Sequence, residues 1–328
     1  MRIAVLGAGA WGTAMAVGLA GRHDVALWAR NPAQRAAMRE ARTNQRYLPD
    51  VSFPAQLEIA DDFPTALRSA ELALIAVTTQ GLREMFGRIR AQGLTPPLVW
   101  LCKGFEPGEG KLPHQVYSEV LGDAADCGAL SGPSFAEEVA RGLPTAVTLA
   151  SARPAFARDA ARALHSPAFR VYSSEDLIGV EVAGAVKNVM AIAAGICDGL
   201  RYGHNARAAL ITRGLAEITR LGVALGGRAE TFMGLAGAGD LILTCTGDLS
   251  RNRRVGLKLA QGESPAAILA ELGHVAEGVS TAPEIQRTAA RLGIDMPVTR
   301  AVCRVLSDPL QARAAADELL QREPKPER

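Results

Sequence analysis

Cysteine is scarce in this chain of 328 residues, and the five present do not pair: Cys102, Cys127, Cys197, Cys245 and Cys303 are odd in number, far apart and never in C-x-x-C spacing. That excludes a disulfide framework and a thiolate zinc site, and points to reduced thiols in a cytoplasmic setting. The five histidines show no H-x-x-x-H spacing, so no metal is expected. Aromatic residues make up 5% and the net charge is only +2. No run of Lys and Arg is interleaved with aromatics, which argues against nucleic acid as a partner. No apolar run reaches about 18 residues without a glycine or a charge, so no membrane span is expected. The segment from Met1 to Ala20 is apolar and small enough to suggest a secretory leader. Glycines interrupt it, however, and no cleavage stretch follows before a charged loop. Internal repeats and low-complexity stretches are also missing.

What is present begins at once. Arg2-Ile3-Ala4-Val5-Leu6 reads as a strand, and Gly7-Ala8-Gly9-Ala10-Trp11-Gly12 follows it as a G-x-G-x-x-G fingerprint. In that pattern Gly7 permits a tight turn and Gly9 lets a pyrophosphate approach the backbone. Gly12 lets the next helix, expected over 13–21, pack closely on the strand. The free N–H groups and positive dipole end of that helix would face the phosphates. A second strand at 24–28 completes the βαβ unit. The carboxylate that holds the ribose 2′-hydroxyl of NAD, due about 20 residues on, is missing, because Leu27-Trp28-Ala29-Arg30-Asn31 stands there. Arg30 would instead lie over the adenine, pair with a 2′-phosphate, or simply be solvated. On the first two readings NADP is accepted and even preferred.

Further apolar runs at 72–77, 98–102, 128–130, 145–149 and 169–172 alternate with amphipathic stretches. This suits a doubly wound parallel sheet covered on both faces. From about Ser173 the strand runs stop. Ile211, Leu215, Ile218, Leu221 and Leu225 follow helical steps, and Gly226-Gly227 is a plausible stop. Helices are expected over 254–260, 265–272, 282–292 and 297–306. The chain therefore divides into a dinucleotide-binding domain at 1–178 and a helical substrate domain at 179–328. Ser173-Ser174-Glu175-Asp176 would initiate the first helix of the second domain, and the charged tail is expected to fray at its last few residues.

Ligands in such sheets sit at the carboxyl ends of strands. Lys103 directly follows one strand. Ser131-Gly132-Pro133-Ser134 follows the next as a turn entering a helix, with Ser134 as a helix cap or an anion contact. Lys187 interrupts a small-residue helix around Ala183, Gly184, Ala185 and Ala191. It reads either as a solvated lysine or as a crowded ammonium that exchanges a proton with a ligand. Gly234–Asp240 is a second glycine cluster. No strand precedes it, so it is not a dinucleotide loop; it would bring backbone close to a ligand or helix and then present Asp240. Ser250-Arg251-Asn252-Arg253-Arg254 is a basic loop ahead of a helix, either a phosphate receptor or a solvated turn.

Together these segments resemble the bacterial NAD(P)-dependent glycerol-3-phosphate dehydrogenase family. The likeness runs from Gly7 to about Pro297 through GAGAWG, CKGFEPG (102–108), SGPSFAEEV (131–139), GAVKNVMAIAAG (184–195), GLAGAGDLILTCT (234–246), SRNRRVG (250–256) and VAEGVSTA (275–282). Ala10 departs from the serine many members carry, which removes one hydroxyl contact to the cofactor phosphates. The resemblance implies an N-terminal Rossmann domain and a C-terminal domain like that of 6-phosphogluconate dehydrogenase. It also implies a homodimer, NADP(H) or NAD(H) as cofactor, and supply of glycerol phosphate for phospholipid synthesis. By position it implies that Lys187 is the general acid/base, assisted by Lys103 and Asp240. The glycerol phosphate site would comprise Lys103, Gly132, Ser134, Lys187, Asp240, Ser250, Arg251 and Asn252. Besides Gly7, Gly9, Ala10 and Gly12, it implies that Trp11, Arg30, Tyr47, Lys103, Ala136, Arg251, Val275 and Glu277 contact the cofactor. Two other readings compete: a two-domain 3-hydroxy acid dehydrogenase or ketopantoate reductase, and an NADPH-binding sensor without turnover.

Overall fold

The computed structural model describes residues 1–122, 125–273 and 275–321. The tail end where fraying was expected lies outside the described residues. Contacts between Cα atoms divide the chain into two units. One comprises Met1–Glu106 and Lys111–Glu181; the other comprises Pro107–Gly110 and Val182–Arg328.

The first unit is built on strands β1 (Arg2–Leu6), β2 (Asp24–Trp28), β5 (Glu58–Ile59), β6 (Leu72–Ile75), β7 (Leu98–Trp100), β8 (Cys127–Ser131), β9 (Thr145–Ala150) and β10 (Phe169–Ser174). They form one sheet in the order β10-β9-β8-β7-β6-β1-β2-β5. A hairpin of β3 (Thr43–Asn44) and β4 (Leu48–Ser52), not foreseen from the sequence, stands apart from it. Helices α1 (Ala10–Ala20), α2 (Pro32–Ala41), α3 (Phe63–Leu67), α4 (Leu82–Ala91), α5 (Pro113–Leu121), α6 (Ala136–Ala140) and α7 (Pro154–Leu164) complete the unit. The expected parallel sheet holds from β5 through to β8. The β8–β9 pairing is antiparallel, with β10 parallel to β9, so the last two strands run against the rest. Apolar patterning reports burial on both faces, not strand direction, which is why the expectation of an all-parallel sheet fails at these two strands.

Strand order reverses between β1 and β6, the place where doubly wound sheets bind ligands. Ile3, Val5, Leu27, Leu72, Leu74 and Val99 pack there against Met15 and Leu19 of α1. Each such side chain, fully buried, contributes about 1.5–3 kcal/mol.

The second unit is helical. Its elements are α8 (Leu177–Gly199, begun in the first unit), α9 (Gly203–Ala224), α10 (Ala229–Phe232), α11 (Asp240–Thr246), α12 (Arg251–Leu259), α13 (Pro265–Leu272), α14 (Glu277–Arg291), α15 (Pro297–Ser307) and α16 (Ala312–Leu320). Ser173 and Ser174 close β10, and Asp176 alone caps α8 by accepting from Gly179 N at 2.9 Å. Among the described residues one helix, α8, is long and apolar enough to cross a membrane, but 94% of its most apolar window is buried inside the molecule. Its apolar surface is spent on the core. Paired glycines let α8 and α12 approach closely. A Cβ on Gly195 would overlap Arg253 O of α12, and one on Gly256 would overlap Ile192 O of α8.

Candidate functional site

In the sheet unit the fingerprint has the shape a pyrophosphate requires. Gly7 sits at φ +125°, and a Cβ there would lie 2.5 Å from Ala76 O just beyond β6. A Cβ on Gly12 would overlap Gly7 O and come within 2.7 Å of the Ala76 Cβ. At Gly9, by contrast, a Cβ would meet nothing within 4 Å. The first and last glycines thus serve internal packing, and the middle one leaves open space over the start of α1. That start lacks a side-chain cap, since Gly9 is the N-cap residue. The indole N–H of Trp11 is buried with no partner among the described residues. These features fit a dinucleotide phosphate.

Tyr47 lies in the β3–β4 turn, which is fastened to the fingerprint: Asn44 Nδ2 donates to Ala8 O (3.0 Å) and to Thr13 Oγ1 (2.8 Å). Arg30, just past β2, is 75% exposed and only loosely paired with Glu84 at 3.6 Å. At the far side of the switch point Lys103 Nζ donates to Gly132 O at 3.2 Å, and Ser134 Oγ donates to the same oxygen at 2.9 Å. The structure therefore gathers Lys103, Gly132 and Ser134 beyond the ends of β7 and β8. It also corrects the reading of Ser134 as a cap. The N-cap of α6 is Phe135, without a side-chain bond, and the Ser134 hydroxyl turns back to the loop. Ala136 opens that helix.

The helical unit gathers the other candidates. Lys187, on α8, is buried, with 7% of its surface exposed, which settles the choice against a solvated lysine. Its Nζ donates to Asp240 Oδ1 at 2.7 Å and to Thr244 Oγ1 at 2.7 Å. Asp240 is the first residue of α11 and follows directly on a single π-helical turn, Leu235–Gly239. Within that turn a Cβ on Gly237 would overlap Phe232 O, so the glycine cluster packs on α10 and delivers Asp240. Thr244 was not singled out from sequence. The signal lay in its spacing, since residues four apart share a helix face. Its hydroxyl donates to Asp240 O at 2.7 Å, which leaves a lone pair for the ammonium.

The basic segment also differs from expectation. Arg251–Arg254 form the first turn of α12 instead of a loop before it, and Ser250 is the N-cap, accepting from Arg253 N at 3.2 Å. Arg253 is consumed by Asp198 (2.7 Å), while Arg251 reaches Val275 O at 3.3 Å. Asn252 links three helices: its Nδ2 donates to Asn188 Oδ1 (3.0 Å) and its Oδ1 accepts from Gly278 N (3.1 Å). Glu277 opens α14 beside that amide. Cys245, next to Thr244, has its thiol pushed up to about 12 by burial, so it is no nucleophile. Among the described residues no group of three or more His, Cys, Asp or Glu side chains stands ready for a metal ion.

The two halves of the chain match two family models. Residues 2–157 match the NAD-dependent glycerol-3-phosphate dehydrogenase N-terminus, and residues 176–317 match the C-terminus of the same enzyme. A glycerol-3-phosphate dehydrogenase [NAD(P)+] of Dechloromonas aromatica is 59% identical over 327 residues, covering 100% of this chain and 99% of the relative. The crystal structure of a glycerol-3-phosphate dehydrogenase from Coxiella burnetii superposes with a TM-score of 0.94 at 42% identity, covering 98% of this chain and 99% of that one. A ketopantoate reductase from Ralstonia eutropha shares the fold alone, with a TM-score of 0.60 at 17% identity over 98% and 100% of the two chains.

Proposed function

This chain belongs to the NAD-dependent glycerol-3-phosphate dehydrogenase family, and from that premise we propose how its residues divide the work. The activity is NAD(P)-dependent and links sn-glycerol 3-phosphate with dihydroxyacetone phosphate. When bound, the nicotinamide supplies or accepts the hydride. Lys187, as ammonium, gives a proton to the substrate oxygen as negative charge develops there. In the reverse direction the neutral amine takes the proton back. Catalysis of this kind is worth about 10²–10⁴-fold. The observation that carries the reading is the buried Lys187 nitrogen held at 2.7 Å by both Asp240 and Thr244. Two acceptors fix its aim.

Lys103 orients the substrate oxygens and adds positive charge. Gly132 and Ser134 shape the wall beside it. Arg251, with the amides that open α12 and the neighbouring Ser250 and Asn252, takes the substrate phosphate. Gly7, Gly9, Ala10, Trp11 and Gly12 hold the cofactor pyrophosphate. Arg30, Tyr47, Lys103, Ala136, Arg251, Val275 and Glu277 supply its remaining contacts. Arg30 in place of a carboxylate favours acceptance of NADPH. Few, widely spaced cysteines and a buried α8 support a cytoplasmic enzyme, with a homodimer and a role in phospholipid supply expected from the family.

The test is Lys187→Ala assayed with NADPH and dihydroxyacetone phosphate at about 340 nm, the reduced nicotinamide band. Turnover falls by orders of magnitude while the NADPH dissociation constant holds. Near-parent turnover removes Lys187 as the acid.

A further inference from the structure

α8 carries Lys187, and its first turns are held by a carboxylate that plays no part in the chemistry above. Glu181, six residues before Lys187, has a side chain 1% exposed. Both of its oxygens are committed to one residue of α5. Oε1 accepts from His114 N at 2.9 Å, and Oε2 meets His114 Nδ1 in a short contact. His114 is the second residue of α5, so its amide is one of the donors a helix start leaves unpaired. A negative charge is also favoured there by the helix dipole. One side chain of α8 thus caps another helix and pairs with its ring at the same time. An α-helix rises 1.5 Å per residue, which puts the brace about 9 Å along the axis from Lys187.

We propose that Glu181 and His114 are a positioning pair for the reaction, a charge-assisted brace that fixes the start of α8 and through that helix the aim of Lys187. The proposal rests on the reading of Lys187 as the acid/base.

On α4, which packs against α5, Arg83 pairs with Glu106 at 2.7 Å and with Glu119 at 2.8 Å. On the approach to α5 and along it, Lys111 and Glu119 pair with each other at 2.6 Å. On α8 the Asp176 carboxylate caps Gly179. From β7 the Trp100 indole N–H favours the ionised Glu181 without closing a hydrogen bond. Burial pulls the His114 ring down, but the hydrogen bond and charge of Glu181 outweigh it and hold the ring above its usual 6.5. Burial likewise pushes the Glu181 carboxyl up, against the hydrogen bond and charge of His114. The sign follows. A ring raised by a partner contributes fully below its ordinary value, and the contribution fades as pH rises through the raised one. The charged brace is therefore complete on the acid side of the ordinary imidazole value and weakens as pH rises through the raised one.

The test measures kcat and KM against pH for the parent, His114→Gln and Glu181→Ala, with the His114 titration followed by NMR. Glutamine keeps a donor for Glu181 but cannot titrate. The parent kcat is expected to lose activity along a limb that tracks the His114 titration, and His114→Gln to lose that limb with KM unchanged. Glu181→Ala, if it folds, should lower kcat on the order of tenfold to a hundredfold with little change in NADPH binding, the scale of a misaimed catalytic group. An unaltered pH profile in His114→Gln overturns the brace whether or not Glu181→Ala folds. Failure of the acid/base reading shows separately, as near-parent turnover of Lys187→Ala.

Discussion

The sheet unit and the helical unit carry function in opposite ways. Around the fingerprint the sheet unit works by leaving side chains out. Gly7 and Gly12 are occupied by backbone where a Cβ would stand, and Gly9 opens onto free space. Around Lys187 the helical unit works by burying polar side chains and satisfying them: Lys187 on Asp240 and Thr244, Asn188 on Asn252, Asn252 on Gly278. Backbone presentation tolerates changes of neighbouring side chain but no added carbon. A buried polar network tolerates neither a lost charge nor a lost acceptor, because an orphaned buried partner costs about 1–3 kcal/mol, more when charged. Variants around Lys187 should therefore strike turnover and substrate binding, and variants in the fingerprint should strike the cofactor.

Lys187→Ala is the sharpest break. A loss of about 10²–10⁴-fold in kcat is expected, with NADPH affinity kept. It also leaves Asp240 buried without its cation, so calorimetry should show lost stability. A variant that lost cofactor affinity instead would dissolve the contrast. Arg251→Ala comes next. A charged hydrogen bond contributes about 1.5–3 kcal/mol, so KM for dihydroxyacetone phosphate should rise roughly tenfold to 150-fold with kcat less affected. An unchanged KM would place the phosphate elsewhere.

Gly12→Ala tests the other unit. The added carbon would overlap Gly7 O and press on Ala76. Forcing a methyl into packed structure costs about 1–3 kcal/mol, and here the strain falls on the turn that faces the pyrophosphate. The NADPH dissociation constant should rise about tenfold or more, at saturating cofactor with kcat near the parent value. A rise in substrate KM alone would contradict the division.

The same contrast explains what the sequence made legible. Gly7, Gly9 and Gly12 follow a strand at fixed spacing, so a local pattern sufficed for the sheet unit. The pairing of Lys187 with Asp240 was anticipated, but Thr244 was not assigned, because its part depends on two helices 57 positions apart packing face to face. Glu181 and His114 gave no local signal either, since each is an ordinary residue of its own helix and their contact spans 67 positions. Ser134 looked like a cap because serine before a helix usually is one. Only the course of its loop turns the hydroxyl to Gly132. The reversed β9 and β10 were hidden for a related reason, because strand direction is settled by connections and not by composition.

Arg30→Ala carries the smallest expected effect and probes the edge of the sheet unit, where a side chain does reach out. The guanidinium is three-quarters exposed and its tie to Glu84 is 3.6 Å long, so little native structure depends on it. Exposed charge pairs contribute about 0.2–1 kcal/mol, which corresponds to a rise in KM for NADPH of about fivefold at most. NADH carries no 2′-phosphate and should be affected less. Because the interaction is exposed, added salt should erase the difference between parent and variant, since the Debye length falls from about 10 Å at 0.1 M to about 3 Å at 1 M. Equal losses for both cofactors would mean that Arg30 lies over the adenine. A strong NADH preference in the parent would remove it from phosphate recognition altogether.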